Sequence, residues 1–200
     1  MSSTATEISV EDVARRMPSL RLIDDDAVRE ETARLTADAP PYFWKVPASR
    51  RGYHNPLCRD ETGLWVHTLM LSTVVEELGA SRRELGEVTE EDLDHAHAAA
   101  VLHDQRKHGE PADPSETSTS DHDLHMADVI REESDLPEAV ASAVETHMGP
   151  WYDGPEPTTP VERLVHDADM VSSKASITAK VPGPIPEEFA HLDVEEVDLR

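Results

Sequence analysis

Residues 93–109 read LDHAHAAAVLHDQRKHG. Leu93, Ala96 and Ala100 recur at the three- and four-residue spacing of one helical face, and the same face carried forward takes in His103 and Asp104. A helix is expected over 90–104, with an imidazole and a carboxylate aimed at the core. Four other segments repeat the arrangement. Over 63–79 the shared face holds Leu64, His67, Leu71, Val74, Val75 and Leu78, and over 121–134 it holds His122, Met126, Val129 and Ile130. Over 136–148 it holds Val140, Ala143, Val144 and His147, and over 160–174 it holds Val161, Leu164, Val165, Ala168 and Asp169.

One histidine on an apolar face is ordinarily a hydrogen-bonded core residue. Five helices that each bury a His or Asp are a different matter. Leaving a polar group buried without a partner costs about 1–3 kcal/mol, and a charged one more, against a total stability of about 5–15 kcal/mol. A shared cation removes that cost, because it satisfies neutral imidazoles and ionised carboxylates together. The donors are nitrogen and oxygen, since Cys58 is the single cysteine and stands on a predicted loop. That set suits one or two divalent transition metals, Mn, Fe, Co, Ni or Zn, better than a closed thiolate zinc site. No His-Glu-x-x-His pattern, glycine-rich phosphate loop or serine nucleophile elbow is present.

Outward from these helices, the pattern stays helical and sustained two-residue alternation is missing, so the class is all-α. Ser9 and the acidic triplet Asp24, Asp25 and Asp26 mark the starts of two short N-terminal helices. APPYFWKVPAS, residues 39–49, contains three prolines and is expected to lie extended with its aromatics docked on the core. The polar Pro- and Ser-bearing segment 110–120 reads as a mobile loop. Three sections are expected: N-terminal helices and linker over 1–46, a metal-binding helical domain over 47–180, and an extended acidic tail over 181–200.

Composition narrows the function. The chain of 200 residues carries 18 Lys and Arg against 42 Asp and Glu, a net charge of −24, and no basic run. A nucleic-acid or anionic-membrane surface built on counterion release is therefore disfavoured. Lysine appears only at Lys45, Lys107, Lys174 and Lys180, while carboxylates decorate nearly every segment, as in proteins of a high-salt cytoplasm. Molar salt shortens the Debye length to about 3 Å and makes such a surface tolerable. The opening MSSTATEISV lacks the order of a signal peptide, and the apolar window Leu64–Val75 is too short to span a bilayer, so a cytoplasmic location without a membrane span is expected.

The order His67, then His103 with Asp104, then Asp169 resembles the HD-domain superfamily of metal-dependent phosphohydrolases. GLWVHTLM at 63–70 and AVLHDQRKHG at 100–109 look like its first two ligand helices, and DHDLHMA at 121–127, THMGPW at 146–151 and VHDADMVSS at 165–173 follow in the family's order. The resemblance covers residues 47–175 and implies an HD-domain-like helical bundle around a buried metal site. It implies His67, His103, Asp104 and Asp169 as the basic metal set, with His122 and His147 matching the extra ligands of two-metal members. Two positions depart from the pattern: Gln105 stands where an apolar residue is common, and Met148 where a second histidine often stands. Asp167 competes with Asp169; the latter is preferred because it lies four residues after inward Val165.

The resemblance implies hydrolysis of a phosphoester, with a small phosphorylated substrate, preferably a nucleotide or nucleoside phosphate. Asp104 would orient water, and Lys107 would either neutralise a substrate phosphate or pair with a nearby carboxylate. An HD-type exoribonuclease or other nuclease is one alternative, and a non-catalytic metal- or nucleotide-binding signalling module is another. His54 either lines the cleft mouth or sits on a surface loop. Trp151 and Tyr152 either stack on a base or plug the core, and His95, His97, His108, His125 and His191 are expected to be solvated.

Overall fold

The computed structural model describes residues 8–49, 54–109, 121–152 and 154–199, without the side chains of Trp151 and Tyr152. The readings of the 110–120 loop and of those two aromatic side chains therefore lie outside the described residues.

The protein is mostly helical, as the sequence pattern requires. In chain order the helices are α1 (Val10–Arg16), α2 (Asp26–Ala37), α3 (Gly63–Glu84), α4 (Glu90–Leu102), α5 (His122–Glu133), α6 (Glu138–Thr146) and α7 (Pro160–Ser172), followed by strands β1 (Lys180–Pro182) and β2 (Glu195–Val197). Local chemistry sets several of the helix starts. Ser9 and Asp25 accept the backbone N–H of Asp12 and Val28, and Thr89 and Thr159 form reciprocal capping boxes with Asp92 and Glu162.

α3 and α4 form the centre, with α7 and β1 against α3, and α2, α6 and α7 against α4; α5 packs on α6. Burial goes beyond the expected stripe. Every residue of α3 from Gly63 to Val75 is buried, and so is every residue of α4 from Leu93 to Leu102. The hydroxyls this traps are satisfied inside the helix: Thr68, Ser72 and Thr73 donate to the carbonyls of Leu64, Thr68 and Leu69. Buried Asp94 accepts the backbone N–H of Asp24 at 2.7 Å and of Asp25 at 3.0 Å, which fastens the start of α2 to α4. Gly63 opens α3 where no side chain fits, since a Cβ there would lie 2.2 Å from the Cys58 carbonyl oxygen.

Three expectations are corrected. Residues 40–46 are not extended but coil through turns, with Phe43 and Lys45 donating to the carbonyls of Pro40 and Tyr42. Their aromatics do dock: Trp44 meets Phe43 and Trp65 edge-on, at ring separations of 4.8 and 5.0 Å. Cys58 is buried in a 3-10 turn, Pro56–Cys58, beside the Met70 sulfur. The end of the chain does not trail as a tail, because β1 and β2 pair in parallel, β1 packs on α3, and Phe189 is buried at 4.3 Å from the Trp65 ring. Among the described residues no helix is long and apolar enough to cross a membrane.

Candidate metal centre

Ends and midpoints of five helices meet beneath the surface. α3 supplies His67 from its second turn, and α4 ends on His103, with Asp104 next in the following turn. α5 begins at His122, α6 ends on His147, and the last turn of α7 carries Asp169. All six are buried, none more than 5% exposed. The imidazoles form a file: ring centroids lie 4.7 Å apart for His54 and His67, 5.4 Å for His67 and His103, 5.1 Å for His103 and His147, and 5.4 Å for His147 and His122.

The backbone decides which nitrogen faces inward. His103 Nδ1 lies 2.8 Å from the Ala100 carbonyl oxygen, and His147 Nδ1 lies 2.6 Å from that of Val144. A carbonyl only accepts, so both Nδ1 atoms carry a proton, and in the neutral imidazole it is Nε2 that offers the lone pair. The Nε2 atoms meet carboxylate oxygens. His103 Nε2 is 3.4 Å from Asp104 Oδ2, His122 Nε2 is 3.1 Å and His147 Nε2 3.8 Å from Asp104 Oδ1, and His67 Nε2 is 3.0 Å from Asp169 Oδ1. His67 Nε2, His103 Nε2, Asp104 Oδ1 and Asp169 Oδ1 are nevertheless without a hydrogen bond of acceptable geometry.

Donor atoms crowded at contact distance, buried and unsatisfied, are what a cation cradle offers. Among the described residues two groups have ligand atoms within 4.8 Å of one another: His67, His103 and Asp169 form one, and His103, Asp104 and His147 the other. His103 belongs to both. The residues present therefore fit a divalent metal, by donor type and by the partners they lack.

The electrostatics point the same way. Burial drives the Asp104 carboxyl upward, but Lys107 and then His103 outweigh it and hold the group well below the usual carboxylate range. Burial opposes Asp169 as well, and the adjoining His67 ring brings it down. His103 is raised despite its burial, because Asp104 and Asp169 favour positive charge there. His147 is pushed down to about 3 by burial and then by the charge of His103, so it stays a neutral donor.

The other sequence candidates divide. Lys107 Nζ lies 2.5 Å from Asp104 Oδ2, so the carboxylate partner is the one the structure shows. Asp169 faces the cluster, whereas Asp167 is half exposed and meets Arg82 at 2.5 Å on the surface. His54 is half-buried with its ring edge-on to His67, and burial followed by the charges of His67 and Lys107 takes it down to about 3. His125 and His191 are exposed as expected. His95 and His97 are not: both are buried, and His97 Nε2 sits 2.9 Å from Glu76 Oε2 on α3. His108 is half-buried against the Tyr42 ring at 5.3 Å.

Sequence reasoning passed over two contributors. Gln105 is buried and donates to Thr36 Oγ1 and to the Val101 carbonyl, tying the turn after Asp104 to α2. His166 lies with its Nδ1 at 2.7 Å from the His147 carbonyl oxygen. It follows inward Val165 by one residue and so lies off the shared face, and only the α6–α7 packing brings it to His147.

The family model for the HD domain matches residues 64–174, more than half of the chain. The protein belongs to this family, the HD superfamily of metal-dependent phosphohydrolases, whose domains bind divalent metals and are typically metal-dependent hydrolases. No curated protein and no solved structure matches the chain.

Proposed function

We propose that the protein hydrolyses a phosphoester of a small phosphorylated substrate, a nucleotide or nucleoside phosphate by preference. His67, His103, Asp104 and Asp169 hold one divalent metal in this reading, and His122 and His147 complete the place for a second. The observation that carries it is the set of buried lone-pair atoms left without hydrogen bonds at one point of a chain that belongs to the HD family. Bound there, a divalent metal supplies Lewis acidity toward a phosphoryl oxygen and lowers the pKa of water toward about 7.

The side chains supply the rest. Asp104 presents Oδ1 toward His122 and His147 and Oδ2 toward His103 and Lys107, so it would orient the attacking water between the two halves of the cluster. Lys107 holds Asp104 ionised and stands ready to neutralise phosphate oxygens that arrive beside it. His54, packed on His67, closes one side of the approach.

The test is a panel of nucleoside monophosphates, cyclic nucleotides and labelled oligonucleotides, incubated in molar KCl with Mn, Co or Ni and again with chelator. Metal-dependent release of phosphate from small substrates is expected. Stepwise shortening of the oligonucleotide alone would favour the nuclease, and a metal-loaded protein inert on the whole panel would favour the binding module.

A further inference from the structure

His147 ends α6, and the carbonyls at a helix end have no partner within the helix. Its own carbonyl finds one across the seam. His166 on α7 places Nδ1 at 2.7 Å from that oxygen, and since the carbonyl only accepts, His166 Nδ1 is the donor. The His147 ring is tied separately, through Nδ1, to the Val144 carbonyl at 2.6 Å. Backbone and ring are thus held by two independent bonds.

The turn beyond His147 is shaped to admit the His166 ring. Gly149 has φ +55°, and a Cβ there would lie 2.9 Å from His166 Cε1 and 3.2 Å from Nδ1. A side chain at 149 would displace the ring that makes the bond. Three residues along the same face of α7 stands Asp169, which meets His67. One helix therefore presents a carboxylate to one half of the cluster and, through His166, fixes the imidazole of the other half. Farther along the seam, Ser142 on α6 donates to Glu162 on α7 at 2.5 Å, so the two helices are pinned at two points.

We propose that His166, seated against Gly149, is a positioning residue for His147 and sets the affinity of the half-site formed by His103, Asp104 and His147 for its own metal ion. This rests on the reading of the cluster as a metal centre. His166 touches neither half directly. It acts by holding the backbone from which the His147 ring projects, and outer partners of this kind change metal affinity by about 10- to 100-fold.

The experiment titrates metal-free protein with Co2+ in molar KCl, following stoichiometry by calorimetry and ligand geometry by the visible absorption of the ion. The parent is expected to take two ions, the weaker of them lost in His147→Ala. His166→Phe keeps a ring and removes the donor, and should weaken the second ion by about tenfold or more with the first unchanged. His166→Asn puts an amide N–H near the position of Nδ1–H and should keep both ions. Gly149→Ala leaves His166 in the chain but displaces its ring, and should match His166→Phe; it carries the comparison if His166→Phe does not fold. Parent-like second-ion binding in both His166→Phe and Gly149→Ala overturns the proposal, and so does equal weakening of both ions in His166→Phe and His166→Asn. A parent that takes one ion regardless of His147→Ala overturns it together with the two-metal reading. A parent that takes none removes the metal centre itself.

Discussion

Asp104 is held ionised by its neighbours rather than by water. Its 2% exposure leaves Lys107 and His103 to balance the charge. Removing one partner of a buried ion pair costs about 3–5 kcal/mol. Metal-free Lys107→Ala should therefore unfold at a clearly lower urea concentration than the metal-free parent, and added Mn should narrow the gap by supplying another cation. Equal midpoints without metal would show that Asp104 does not depend on Lys107. At this scale the sequence was informative where one face is buried, which is why His67, His103, His122, His147 and Asp169 could be read from spacing. It failed for His95 and His97, because α4 is buried all round and a one-face stripe then marks only part of the core. The partner that accommodates His97, Glu76, lies on another helix, and no local spacing reveals it.

At the scale of elements, Glu162 joins a cap to a seam. Its carboxylate accepts the backbone N–H of Thr158 at 2.6 Å and of Thr159 at 3.0 Å, while Ser142 donates from α6. Burial pushes the carboxyl upward, and the Ser142 and backbone hydrogen bonds outweigh it, leaving the group below the ordinary glutamate value of 4.5. A carboxyl depressed in the folded state contributes stability above its unfolded pKa and loses it as pH falls through the folded one. Parent stability should therefore decline below about pH 4.5, and Glu162→Gln should cost about 1–3 kcal/mol near pH 7 with a shallower decline in acid. Urea unfolding of both proteins from pH 7 to pH 3 tests this, and parallel curves would contradict it. The starts of the two N-terminal helices were legible because Ser9 and Asp25 cap them with side chains. The three-residue strands were not, since their pairing depends on a partner 15 residues away and on the face of α3 beneath β1.

Across the whole molecule the dominant physical quantity is the charge of −24. Surface pairs such as Arg131 with Glu138 and Glu145 offset a few carboxylates, but 42 acidic groups against 18 basic ones leave a large repulsion that salt screens. The melting temperature is expected to rise steeply from dilute buffer to molar KCl, and a temperature independent of salt would contradict the reading of the composition. The same molecule concentrates six ionisable side chains at one buried point, which only a bound cation balances in full. The most direct test is the metal content, by elemental analysis, of protein purified in high salt without chelator. One or two divalent transition ions per chain are expected in the parent and none in the doubly substituted His103→Ala, Asp104→Ala protein. Full occupancy in that variant, or a parent free of metal that takes up none when supplied, would contradict the reading of the cluster as a metal centre.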